Sequence, residues 1–412
     1  MGALDGIRVI EIANWAAAPS TGALFVEQGA EVIKIEPLAG DGMRGLMHQA
    51  SGQDPDHAID HAFHFSNRGK KSVAIALDLP RGQDVALALI AEADVVVTNL
   101  LAQRRQRFAL TVDAMREINP QLIVGVLTGF GDVGPDAQTP GFDLTAFFAR
   151  SGLSASVGGL DGAPPRWRAA QGDHVAGLSL YGAIVTALVK RGATGEGAVV
   201  ETSLFASAAW SNAFDLTRAA ADAKPSRAKT RERSANVTSE AYRCADGRFV
   251  QLSLAEPTSG WRIMCEVLEL GELEHDERFS TTVARFANMA DCIALFDERI
   301  ATHNSDDLVQ AITERGGVAA VVMQSNDVVL DAQSRAIALL RPVDVDGATI
   351  EVVNAPFSID RGDPDLPMIP VTGIGEPGAD TAEVLGSILD LNADEVSQLE
   401  AEGVIRVAAS ST

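Results

Sequence analysis

Residues 7–36, IRVIEIANWAAAPSTGALFVEQGAEVIKIE, hold two nearly continuous apolar runs on either side of a short helical pattern. Residues 7–13 and 30–36 read as strands, and 19–28 as a helix that Gly29 ends. An unbroken apolar run, as opposed to an alternating one, marks a strand covered on both faces, which is the habit of parallel sheets. The pattern returns in SVAIALD (72–78), ADVVVTN (93–99) and LIVGVLT (122–128), with helices at 80–92 and 111–118 between them. The first 130 residues are therefore predicted to be a doubly wound, Rossmann-like α/β sheet.

The chain then changes character. Residues 216–236, LTRAAADAKPSRAKTRERSAN, are basic, rich in Ala and Ser and broken by Pro225, as expected of a helix end running into a linker. Beyond it, EAYRCADGRFVQLSL (240–254) places a turn at Asp246–Gly247 between two strands, followed by helical patterns at 259–269 and 289–302 and a strand at 319–323. The predicted division is a large domain over 1–225, a smaller α+β domain over 226–330, and a segment 331–412 that returns to the large domain.

Composition limits the partners. Lys and Arg total 33 against 56 Asp and Glu, a net charge of −23, which disfavours nucleic acid or an anionic membrane as ligand. Small anions need only a local group of cations, and the N-terminal third supplies Lys34, Arg44, Arg68, Lys70, Lys71 and the run Arg104, Arg105, Arg107. Three cysteines without a CxxC pair indicate neither a disulfide framework nor a zinc knuckle and suit a reducing cytoplasm. The start of the sequence lacks a secretory pattern, and the apolar stretch 175–189 is expected to be too short and too punctuated by Gly and Ser to span a bilayer.

Within residues 172–191, GDHVAGLSLYGAIVTALVKR, one carboxylate, Asp173, stands where a long apolar helix begins. The first N–H groups of a helix are unpaired, so an acid there is either a cap or a reactive group held in fixed orientation. GFGDVG (129–134) fits GxGxxG after a strand, but Pro135 and the Thr139–Pro140–Gly141 stretch continue it as loop where a dinucleotide fingerprint requires a helix. His57, His61 and His64 have helical spacing suited to a metal, yet no HExxH or cysteine accompanies them, and no metal site is assigned. GxSxG and P-loop patterns are absent.

Several segments together resemble one family. These are 4–44, FSNRGKKSVAIALDL (65–79), ADVVVTN (93–99), INPQLIVGVLTGFGDVGP (118–135), PGFD (140–143), GDHVAGL (172–178), RGATGEGAVVETSLF (191–205), CADGRFVQLSL (244–254) and LEAEGVI (399–405). In order and spacing they are similar to the class III CoA-transferases, the group of formyl-CoA transferase, carnitine CoA-transferase and α-methylacyl-CoA racemase. The resemblance implies an inserted smaller domain, an interlocked homodimer, and transfer of CoA from an acyl-CoA thioester to a carboxylic acid, with no cofactor besides CoA itself.

By the same resemblance Asp173 is the nucleophile, forming an aspartyl mixed anhydride with the acyl group. Lys34, Arg44, Arg68 and Arg104 are expected to hold CoA, while Ala16, Ala17 and Phe142 are expected to line the substrate pocket. The racemase branch carries a histidine where this chain has Phe142; phenylalanine cannot carry a proton, which disfavours racemisation. Two alternatives remain beside transfer: an acyl-CoA racemase or isomerase, and a non-catalytic CoA-binding relative in which Asp173 only caps its helix. LAEPTSGW (254–261) departs from the family's glycine-rich loop.

Overall fold

The computed structural model describes residues 2–46, 59–157, 163–222, 230–359 and 370–408. They form two compact units, one of Met1–Ser154, Arg166–Pro225 and Ala338–Thr412, the other of Ala155–Pro165 and Ser226–Ile337. The second unit thus runs to Ile337 and takes in the segment Ala155–Pro165, neither of which the sequence reading assigned to it.

The first unit is built on a seven-stranded sheet: β1 (Arg8–Ile12), β2 (Glu31–Glu36), β3 (Lys71–Ile75), β4 (Val95–Thr98), β5 (Ile123–Thr128), β6 (Ala198–Ser203) and a two-residue strand Ile405–Arg406. The first six are parallel in the order 3-2-1-4-5-6, and Ile405–Arg406 closes the β3 edge antiparallel to it. Alternate side chains of each strand enter opposite cores. Val9, Val32, Val95, Ile123 and Leu127 pack on one face, and Ile10, Ile33, Val73, Val96 and Val124 on the other. That double burial explains the unbroken apolar runs, each such side chain contributing about 1.5–3 kcal/mol.

The connecting helices are α1 (Ala17–Glu27), α2 (His61–Asn67), α3 (Pro80–Ala91), α4 (Ala102–Arg107), α5 (Val112–Ile118), α6 (Leu153–Val157), α7 (Gln171–Thr194), α8 (Leu204–Ser211) and α9 (Ala213–Asp222). The apolar helix expected from 172 to 191 runs on to Thr194, where Gly195 in the left-handed region ends it. At that length and composition α7 would also suit a membrane span, contrary to the reading from the sequence. In the fold it packs against α1, β5 and β6. Its crossing with α1 is tight: a Cβ on Gly177 would lie 2.0 Å from Ser20 Oγ and 2.6 Å from the Ala17 carbonyl oxygen. Thr21 Oγ1 donates to the Gly177 carbonyl across the same crossing at 2.9 Å.

An antiparallel hairpin, Leu340–Val345 with Ala348–Val353, also belongs to this unit and was not expected. The second unit has a three-stranded antiparallel sheet, Ala241–Arg243, Phe249–Leu252 and Ala319–Val321, whose core holds Tyr242, Trp261 and Phe296. The LAEPTSGW segment is no glycine-rich loop. Glu256 caps a helix over Pro257–Val267 by accepting from the Thr258 and Ser259 N–H groups, which puts Gly260 inside that helix.

Candidate active site

A doubly wound sheet opens a crevice at the carboxyl ends of its strands where the order reverses, here between β1 and β4. A cavity of about 270 Å³ lies there. Asn14 and Trp15 follow β1, Asn99 and Leu100 follow β4, and Thr128 and Gly129 end β5. Phe142 and Asp173 face the same space from the PGFD loop and from the first turn of α7.

Asp173 does not cap its helix. Ala170 stands at the N-cap in the left-handed region, with φ of 71°, and offers no side-chain acceptor. The cap comes from Asp143 on a π-helical turn (Asp143–Ala149): its Oδ2 accepts from Gly172 N at 3.3 Å and its Oδ1 from Leu144 N at 2.7 Å. The glycine before Asp173 is needed because a Cβ there would sit 2.5 Å from the Phe147 ring. Among the described residues, Asp173 makes neither a hydrogen bond nor an ion pair through its carboxylate. Burial, and then the charge of Asp143, push its pKa up to about 7. Asp143 is itself raised by burial, tempered by the N–H groups of Leu144, Gly172 and Ala170. A half-buried carboxylate with a raised pKa and no structural partner, facing a cavity, is a candidate nucleophile.

The coupling of the two acids can be measured. Asp143→Asn keeps an acceptor for Gly172 N but removes the charge, so the acidic limb of the kcat/KM profile should move to lower pH. An amide serves only one of the two N–H groups as acceptor, and a loss of about 1–3 kcal/mol of stability should accompany the change. A limb that stays in place would mean that burial alone sets the Asp173 pKa.

Of the predicted CoA ligands only Arg104 lines this cavity. It is exposed, its guanidinium lies 5.5 Å over the Phe108 ring, and among the described residues it has no ion-pair partner. The other three are corrected by the structure. Lys34 is fully buried, with its Nζ 3.0 Å from Glu11 Oε1, 2.9 Å from Asp41 Oδ2 and donating to the Ala13 carbonyl at 2.7 Å. Burial pulls its pKa down, but Glu11, Asp41 and Glu36 outweigh that and hold it above the ordinary lysine value. Arg44 grips Glu36 through two bonds of 2.9 and 2.7 Å and donates to the Gly375 carbonyl at 3.0 Å. Arg68 is 2% exposed and paired with Glu27, with its Nε 2.7 Å from Oε1, and donates to the Phe65 carbonyl. Their charges are spent inside the protein and leave no free cation for a phosphate.

Ala17 lines the cavity, whereas Ala16 is buried on a different side with Met43, Phe63 and Ile374. Phe142 lines it and is 55% exposed. His174 lies outside it, edge-on to Phe65 at 4.8 Å, so the neighbour of Asp173 faces elsewhere. In GFGDVG, a Cβ on Gly129 would come within 2.8 Å of Gly141 Cα; the glycine lets the PGFD loop cross the end of β5. His57 lies outside the described residues, and among those residues no group of three or more His, Cys, Asp or Glu is placed to hold a metal. The sequence reading missed Trp15 and Asn99, although both directly follow apolar strands, where a doubly wound fold presents its ligand-binding residues.

The model of CoA-transferase family III matches residues 4–373. The chain belongs to that family. It is 30% identical over 406 residues to the (R)-2-hydroxy-4-methylpentanoate CoA-transferase of Clostridioides difficile, an alignment covering 98% of this chain and 99% of that one. With the succinate–glutarate CoA-transferase of Agrobacterium fabrum it shares 30% identity over 86% of this chain and 88% of the relative. A CAIB/BAIF family protein from Brucella suis superposes with a TM-score of 0.80 at 28% identity over 94% of this chain and 99% of that one. Rv3272 from Mycobacterium tuberculosis does so with 0.78 at 26% identity over 93% and 98%. This family III member is an enzyme, and its reaction is the transfer of CoA between an acyl-CoA thioester and a carboxylic acid.

Proposed function

We propose that this CoA-transferase works through covalent catalysis by Asp173, and that the cavity at the β1/β4 reversal seats the thioester. The observation that carries the reading is an unpartnered carboxylate at a helix start whose capping is done by another residue, Asp143. The Asp173 carboxylate attacks the thioester carbonyl, the C–S bond breaks, and an aspartyl anhydride and CoA thiolate result. The thiolate then attacks the aspartyl carbonyl, releasing the first acid and leaving CoA on the enzyme as an aspartyl thioester. The acceptor acid runs the same two steps in reverse. Thioester and anhydride are close enough in energy for each step to be reversible, which suits exchange without net hydrolysis.

Arg104 is proposed to meet the anionic end of CoA at the mouth of the cavity. A charge-assisted contact of that kind is worth about 1.5–3 kcal/mol, so Arg104→Ala should raise KM for the CoA ester roughly tenfold or more with little change in kcat. The penalty should shrink as salt screens the wild-type contact. Equal KM values for variant and wild type at two ionic strengths would sink the assignment.

The expected interlocked homodimer remains our reading of the assembly, supported by the large aromatic side chains left open on the first unit, Trp210 at 83% and Phe214 at 96% exposure. The smaller domain is proposed to be inserted within the larger, as the order of the two units along the chain suggests. A reducing cytoplasm is likewise proposed, supported by three buried cysteines that are all free.

A further inference from the structure

Trp15 has a backbone that few residues of its size adopt: its φ is 70°, in the left-handed region. Strain of that kind persists only when surrounding groups hold it, and it gathers at functional sites. Here the holding groups are visible. Trp15 N donates to Asp41 Oδ1 at 3.2 Å, Met43 N donates to the same oxygen at 3.0 Å, and Asp41 Oδ2 is 2.9 Å from the buried Lys34 ammonium. The buried charges thus anchor the turn after β1. The indole they hold is 39% exposed and meets the Phe142 ring edge-on, centroids 5.6 Å apart and planes at 86°. Both rings line the cavity that Asp173 faces.

The rest of the wall sets the apolar Leu100, Leu127, Pro140 and Leu204 beside the neutral polar Asn14, Asn99 and Thr128. Among the described residues of the lining, Arg104 is the one cation, and the proposed function commits it to CoA. A second carboxylate at the far end of a substrate would then enter without a cationic partner, at the desolvation cost of an unpaired charge. We infer that Trp15, together with Phe142, is the specificity-determining wall of the acyl site, and that the site takes carboxylic acids with an apolar alkyl or aryl body in preference to dicarboxylic acids. This rests on Asp173 as the point of acyl attachment.

Hexanoate and adipate differ only in the second carboxylate, which makes them a clean pair of acceptors. With acetyl-CoA as donor, wild type should favour hexanoate over adipate in kcat/KM by at least about tenfold, and 3-phenylpropanoate should group with hexanoate. Trp15→Ala should shrink the hexanoate to adipate ratio by about tenfold while transfer to propanoate persists, and Trp15→Phe should keep most of the preference. Should Trp15→Ala fail to fold, Phe142→Ala must lower the same ratio. A wild-type preference for adipate, or a ratio untouched by substitution of either ring, overturns the inference. Failure of the Asp173 reading would look different: transfer retained in Asp173→Asn, whatever the acid.

Discussion

Asp173→Asn is expected to reduce CoA transfer by roughly three orders of magnitude or more while leaving the fold and CoA-ester binding in place. The amide is nearly isosteric, and because Asp143 caps α7 the change removes no hydrogen bond accepted by the Asp173 carboxylate among the described residues. Steady-state kinetics and mass spectrometry of the acylated protein check the two halves of the claim, since wild type should carry a covalent adduct and the variant should not. Near-normal turnover by the variant would end the assignment.

The raised pKa supplies a second, independent readout. Asp173 in the native state releases its proton only near pH 7, whereas in the unfolded chain it does so in the ordinary carboxylate range. Between those values the native state holds the extra proton, so stability falls as pH rises across the window, and the loss is complete above it. Asp173→Asn lacks this burden. Its melting temperature relative to wild type should therefore climb from pH 5 to pH 8, and a flat difference would contradict the shift. For catalysis the sign is opposite: the nucleophile must be ionised, so wild-type kcat/KM should rise through pH 7.

Lys34→Met should act on stability and not on substrate binding. The ammonium is fully buried between Glu11 and Asp41; without it Glu11 keeps Lys70 at 2.7 Å, but Asp41 loses its cation in a site closed to water. Breaking a buried pair from one side costs about 3–5 kcal/mol, a large part of the stability of most domains. A marked fall in the urea midpoint with an unchanged CoA-ester KM is the expected result. A raised KM with the midpoint intact would restore Lys34 to phosphate binding.

The sheet was legible because strands covered on both faces cannot hide their composition, and β1 to β5 each carry an apolar run. The same rule bears on Lys34. Glu11 and Lys34 sit inside two such runs, and in adjacent parallel strands they fall in register, so opposite charges there must neutralise each other. Reading Lys34 as a phosphate ligand treated it as a surface charge. The hairpin at 340–353 also left a trace, in Asp346–Gly347 flanked by alternating residues, the usual sign of a tight turn. The strand Ile405–Arg406 left none, since two residues have no period. Asp173 was legible as a choice between cap and nucleophile; in the structure the capping is done by the side chain of Asp143, 30 positions earlier and brought in by a π-helical turn.

The closure of the β3 edge has a consequence for how the chain is made. Ser72 N donates to Asp380 Oδ2, a bond between residues 308 positions apart, and Ile75 pairs with Ile405. A nascent chain that has emerged only through its middle therefore carries β3 with one row of backbone donors and acceptors open, the template on which other chains pair. The parallel core can assemble early, but its outer margin waits for a segment some 330 positions further along the chain. The segment around Ile405 thus serves as a seal applied late, and the interval before it arrives is when a chaperone would matter most.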